Sequence, residues 1–246
     1  MTVCKNCGNS FEGKFCNQCG QRADLERLDW RFFLHNLEHA VFHIDRGIIY
    51  TINQLFRRPG YAIKEYVGGK RVNYMPPLTH LVIISVILFF FTKIFNADGE
   101  LIFESKQVGT MFDFVTHYKD KVLIVIIIPL TTVYTRLLFP RNGYNFFELF
   151  AFHCYMRGQF FIIDMVVLLI DWILVHFVVF LHPYTVYVLS FLPEMIYMGW
   201  ALSQFMGIAD IRKTILRSFL LMLMIIASAF ILGGIAGLIL FNFSKG

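Results

Sequence analysis

Residues 4 to 19 read CKNCGNSFEGKFCNQC, which places Cys4, Cys7, Cys16 and Cys19 in two CxxC pairs separated by eight residues. Each CxxC turn can aim two thiolates at one ion, and four thiolates suit the tetrahedral preference of Zn²⁺. The binding energy of such a site can fold a segment too short to own a core. Gly8 and Gly20 each follow the second cysteine of a pair, where a chain turning back under the metal favours positive φ. The pattern predicts one structural zinc ion in a short ribbon. Four sulfurs leave no open coordination position, so the metal is not expected to be catalytic. Redox CxxC chemistry, an iron–sulfur site and free thiols are the competing readings. The fifth cysteine, Cys154, lies alone in an apolar stretch, so the distribution does not read as a disulfide framework.

A second constellation is His35, His39 and His43, at i, i+4 and i+8 with Glu38 beside them. Stacked imidazoles on one helix face can hold a metal, or bind backbone, carboxylate or lipid headgroup. A third is polar and lies within apolar sequence: His153, Arg157, Asp164 and Asp171, spaced 4, 7 and 7 residues apart and therefore on one helix face. Charged groups at membrane depth cost at least ~2.5 kcal/mol each, so this stripe is expected to face other helices or water. Arg157 and Asp164 are about 10 Å apart along the axis, too far to pair simply with each other, and Glu194 is the expected partner for Arg157. The alternatives for the stripe are an intramembrane polar pathway or pocket and an ion-pair network that fixes helix order. No HExxH, GxSxG or phosphate-loop signature is present, and no catalytic residue is assigned.

These residues need elements to hold them, and composition says which. Of 246 residues, 57% are hydrophobic and only 16% charged, with 28 phenylalanines and a mean hydropathy of +0.60. A globular core of this size cannot hide so much apolar surface, which makes lipid the missing solvent. The formal charge of +5 fits cytoplasmic loops rich in Lys and Arg better than nucleic acid, and no nucleic-acid partner is expected. The first 30 residues are polar and lack the apolar stretch of a signal peptide, so the N-terminus is expected to stay attached.

The expected fold is all-α and membrane-integral: a zinc ribbon over 1–23, a cytoplasmic amphipathic segment over 24–77 and a helical membrane domain over 78–246. Five spans are read at about 78–95, 122–139, 146–171, 184–206 and 215–243. Residues 171–184 could prolong the third span, form a re-entrant piece or lie in the interface. Gly233 and Gly237 form a GxxxG pattern, a packing or homo-oligomer signal. Eleven Lys and Arg fall within residues 1–77, Arg136 and Arg141 follow the second span, and Arg212, Lys213 and Arg217 precede the fifth. The 96–121 loop holds three lysines against five acids. This bias predicts the N-terminus inside and the C-terminus outside, with Glu148 and Asp210 near the inner boundary.

Between ribbon and spans, WRFFLHNLEHAVFHI follows Asp29, an expected N-cap, and reads as an amphipathic helix suited to the inner leaflet. Arg57, Arg58, Lys70 and Arg71 are expected at headgroup level, as topological anchors or in headgroup recognition. The order Asp45-Arg46-Gly47, Arg58-Pro59-Gly60, Tyr66, Gly69-Lys70-Arg71 and Pro76-Pro77, with Glu148 and His153 further on, resembles an uncharacterised family of bacterial multi-pass membrane proteins with a short N-terminal Cys4 ribbon. The resemblance implies the topology, the ribbon and a bacterial inner membrane, and no activity.

The first functional reading is therefore a non-enzymatic scaffold or regulatory component whose ribbon docks a cytoplasmic protein. A transporter or lipid-binding protein using the polar stripe is the alternative. A membrane enzyme acting on lipid, with His153, Arg157 and the basic 57–71 segment as its site, is the second alternative.

Overall fold

In a computed structural model, the protein is described over residues 1–25, 27–33, 47–95, 126–140, 143–177, 183–208 and 210–243, with the backbone alone at 171, 174–177, 183–191, 211, 229–230 and 232–243. The chain is mostly helical. The ribbon contributes two short strands, β1 (Thr2–Val3) and β2 (Ser10–Phe11), paired antiparallel with Thr2 opposite Phe11. Its small core is Cys4, Phe11 and Cys16, packed with Cys19 and Ala23.

Trp30 opens a helical turn, and the Asp29 carboxylate accepts a hydrogen bond from the Phe32 amide at 2.8 Å, so Asp29 caps it as expected. Most of the predicted amphipathic helix, with His35, His39 and His43, lies outside the described residues. Two helices follow, α1 (Gly47–Arg57) and α2 (Pro59–Gly68). Pro59 sits where a helix tolerates a missing N–H, so the chain breaks at Arg58 and restarts at once. Gly69, at φ 114°, closes α2 in a left-handed cap, with its own amide and that of Lys70 returning to the carbonyls of Tyr66 and Glu65.

Five more helices form a bundle: α3 (Pro77–Phe95), α4 (Ile128–Leu138), α5 (Phe146–Phe177), α6 (Pro183–Met206) and α7 (Ile211–Phe243). The helix of the expected fifth span starts four residues before Ile215, because the Asp210 carboxylate accepts from the Lys213 amide at 3.2 Å and caps it. Helix α5 continues through 171–177, so the chain between 171 and 177 prolongs the third expected span; residues 178–182 lie outside the described residues.

Contacts order the bundle. Along α3 and α5, His80 meets Gln159 and Phe95 meets Trp172, so these helices run parallel. Helix α6 opposes α5, with Phe205 against Phe152 and Tyr197 against Phe160. Helix α4 also opposes α5, with Thr135 on His153 and Ile128 in one apolar cluster with Phe161, and α7 opposes α4, with Arg217 over Phe139 and Ser228 on Tyr134. Thus α3, α5 and α7 start at one end of the bundle, the end that carries the ribbon.

Among the described residues two helical segments, Pro77–Phe95 and Phe146–Ile170, are long and apolar enough to cross a membrane. The larger core joins α1, α2, α5 and α6 through Leu55, Ile63, Tyr66, Phe152, Tyr155 and Phe205. Tyr155 donates to the Met75 carbonyl, just before α3, and Tyr197 to the Leu55 carbonyl at 2.9 Å near the end of α1, so phenols from the bundle satisfy backbone groups beside the short helices.

Candidate functional site

The four ribbon cysteines come together as their spacing requires, with all sulfurs within 4.8 Å of one another. Cys4 and Cys19 sulfurs are 3.5 Å apart and those of Cys7 and Cys16 are 3.6 Å apart. Metal–sulfur bonds of about 2.3 Å in a tetrahedron put sulfurs about 3.8 Å apart, so the cluster fits a four-coordinate metal. The two halves repeat one geometry. Gly8 and Gly20 donate to the Cys4 and Cys16 carbonyls, both at 2.9 Å, and both have positive φ, of 79° and 74°. The Cys4 and Cys16 amides donate forward to Asn9 and Gln21, each at 2.8 Å.

Desolvation pushes the Cys16 thiol up, but the Gln18 and Cys19 amides and neighbouring thiols outweigh it and bring it down to about 6. The Asn9 amide lowers Cys7, yet desolvation and the neighbouring thiols push it up to about 12. Sulfurs this close cannot all ionise without a cation between them, and a bound metal supplies one.

The ribbon is fastened to the bundle. Gln21, buried in the ribbon, accepts from the Arg71 amide at 3.2 Å, and a Cβ at Gly69 would lie 2.8 Å from Lys5 Cδ. Arg27 then grips Glu148 with Nε to Oε1 at 2.8 Å and Nη2 to Oε2 at 2.6 Å, and the Leu28 carbonyl accepts from Asn145 Nδ2 at 3.0 Å. Glu148 also caps α5. Its Oε2 takes the Asn145 amide and its own amide donates to Asn145 Oδ1, each at 2.8 Å, the reciprocal bonds of a capping box. Asn145-Phe-Phe-Glu148 before an apolar run was the available sequence signal.

The four expected headgroup cations divide. Arg58 donates both Nη atoms to Glu65 at 3.0 Å, and Lys70 reaches the same carboxylate at 3.2 Å. Arg57 is exposed at the end of α1. Arg71 lies over the rings of Phe32 and Tyr66 and donates to the Tyr66 carbonyl at 3.3 Å. Arg71 also lines a cavity of about 380 Å³ with Lys5, Arg27, Lys64 and Glu148. Lys5, Arg27 and Lys64 were not singled out in the sequence because only the docking of ribbon, strap and α2 brings them together.

Deeper in the bundle the polar stripe is assembled in part. His153 is buried with its Nε2 2.8 Å from Thr135 Oγ1. Arg157 contacts Asp164 at 3.9 Å, which corrects the expectation that they are too far apart. The axial separation neglects the side chains: Asp164 leans toward the helix N-terminus and the long arginine covers the remaining distance. Glu194 on α6 lines, with His153 and Arg157, a cavity of about 200 Å³ between α4, α5, α6 and α7. Arg157 Nε is buried there without a hydrogen-bond partner among the described residues. The side chain of Asp171 lies outside the described residues. A buried pair that sequence reading passed over is His80 and Gln159, 3.5 Å apart, with Gly158 making room for the imidazole.

With this geometry in place, comparison with known proteins is narrow in what it returns. No curated protein and no solved structure matches the chain. Residues 45–89, which run through α1, α2, the Gly69–Arg71 turn and most of α3, match the family described as protein of unknown function (DUF3667), so over this stretch the chain is similar to an uncharacterised family.

Proposed function

We propose that the protein is a bacterial inner-membrane protein without enzymatic activity, a scaffold or regulatory component whose ribbon holds one structural zinc ion and docks a cytoplasmic partner. The observation that carries this reading is the fastening of the ribbon to the bundle through Gln21–Arg71, Lys5–Gly69 and Arg27–Glu148. A ribbon held this way transmits its folded state to the end of the helices. Its four sulfurs close the coordination sphere, which suits structure and not catalysis. Val3 and Phe15, exposed on the ribbon, are where a partner protein would bind.

The experiment is hydrogen exchange on the detergent-purified protein with and without chelator, alongside zinc analysis. The reading expects bound zinc, and on its removal faster exchange both in 1–23 and at 69–71 and 143–148. Exchange confined to 1–23 would mean that the ribbon is an independent bead and would sink the regulatory reading.

One observation favours the alternative of a lipid- or ion-binding membrane protein: the cavity that gathers His153, Arg157 and Glu194 at depth. That reading expects Arg157→Ala to change a bound lipid or ion while the protein stays folded in the membrane.

A further inference from the structure

Cations are concentrated at the ribbon end of the bundle. Lys5 comes from the first cysteine loop, Arg27 from the strap that follows the ribbon, Lys64 from α2 and Arg71 from the turn after it, and all four line the cavity of about 380 Å³. Among the described lining residues Glu148 is the one carboxylate, and it is already held by Arg27 in two hydrogen bonds and by the Asn145 amide. Four cations against one engaged carboxylate leave the described lining residues with an excess of three positive charges. Such a concave surface concentrates anions.

The walls leave room at the backbone. Gly68, Gly69 and Gly143 line the same space, and a Cβ at Gly68 or Gly143 would meet nothing within 4 Å. Arg27 commits Nε and Nη2 to Glu148 and the Gly143 carbonyl, so it brings its charge and its Nη1 to the cavity, and the ammonium groups of Lys5 and Lys64 act as point charges beside it. The cavity also has a defined depth. Its walls include 64–71 and 143–148, and Glu148 lies in the first turn of α5, whose segment Phe146–Ile170 is long and apolar enough to cross a membrane. At that level a bilayer presents phosphate groups.

We propose that this cavity is a phosphate-binding site, which takes the phosphate of an anionic lipid headgroup or of a free phosphate compound. The inference rests on the membrane and zinc-ribbon reading above, because Lys5 reaches the cavity only from a folded ribbon. It makes the ribbon one wall of a ligand site and gives the metal a consequence at the membrane surface.

The test uses the full-length protein in phosphatidylcholine nanodiscs with or without phosphatidic acid, and in detergent with inorganic phosphate. Lys5→Ala/Lys64→Ala is compared with Lys14→Ala, which removes an exposed cation outside the cavity. Retained phosphatidic acid is read by native mass spectrometry, phosphate binding by calorimetry and zinc by elemental analysis. The double variant is expected to lose roughly tenfold in affinity per cation removed, with zinc retained, while Lys14→Ala binds as wild type does. Binding of inorganic phosphate would identify a free phosphate source, and retention of phosphatidic acid alone would identify the headgroup. Absence of both ligands from the wild type, or equal loss in Lys14→Ala, overturns the site. Wild type that binds phosphate but carries no zinc leaves the site standing and overturns the ribbon reading instead.

Discussion

Arg27 and Glu148 are 121 positions apart, yet the guanidinium and carboxylate meet in two hydrogen bonds of 2.8 and 2.6 Å. The same carboxylate closes the first turn of α5 through Asn145. One buried side chain therefore caps the start of α5 and ties the ribbon strap to it.

Glu148→Ala removes both functions and leaves the Asn145 amide without its acceptor. A loss of about 2 kcal/mol is expected, measured as the unfolding midpoint in detergent. Arg27→Ala should cost less, because its side chain is two-thirds exposed and screened by water. Equal losses would mean that the ion pair, and not the cap, dominates.

Helices α2 and α6 approach each other tightly at Gly60. A Cβ there would lie 2.2 Å from the Ala201 carbonyl oxygen and 2.5 Å from the Phe205 amide nitrogen, both backbone atoms that cannot swing aside. Gly60→Ala should cost about 3 kcal/mol or more by forcing the helices apart. Gly68→Ala, with nothing within 4 Å, should stay within about 0.5 kcal/mol of wild type. Thermal denaturation of the two variants side by side checks the contrast.

Burial pushes the Glu65 carboxyl up, but hydrogen bonds from Arg58, Lys70 and Tyr74 outweigh it and hold it below its ordinary value of 4.5. A group with a depressed folded value stabilises fully above its unfolded value and loses that contribution as pH falls through the folded one. Stability should therefore decline below about pH 4.5, and Glu65→Gln should flatten that acid limb while leaving less stability at neutral pH. Identical acid limbs in denaturation profiles of the two proteins would contradict the assignment.

Much of the ribbon was legible because its constraints are local. The CxxC spacing, Gly8 and Gly20 act within a few residues, and Asp29 caps the turn that follows it. Helices α3 and α6 begin within one residue of the expected spans, at Pro77 and Pro183. What sequence did not reveal depends on docking: Lys5 on Gly69, Arg27 on Glu148 and Gln204 accepting from the Gly60 amide at 3.0 Å join segments with no common periodicity. The Arg157–Asp164 contact was missed because helical rise was counted without side-chain reach.

That contact carries its own expectation. Arg157→Ala removes the cation beside Asp164 and the neighbouring cavity residue Glu194, and should cost about 2 kcal/mol in detergent unfolding. Asp164→Asn keeps the shape and should cost less. In a double-mutant cycle the two changes should be non-additive, and strict additivity would show that the pair does not interact.

The most direct measurement is elemental analysis of the purified full-length protein, wild type and Cys16→Ser/Cys19→Ser. The account predicts one zinc per chain in wild type and its loss in the variant, since Cys4, Cys7, Cys16 and Cys19 form a single four-sulfur cluster. Wild-type protein free of zinc, or zinc retained without Cys16 and Cys19, would contradict it.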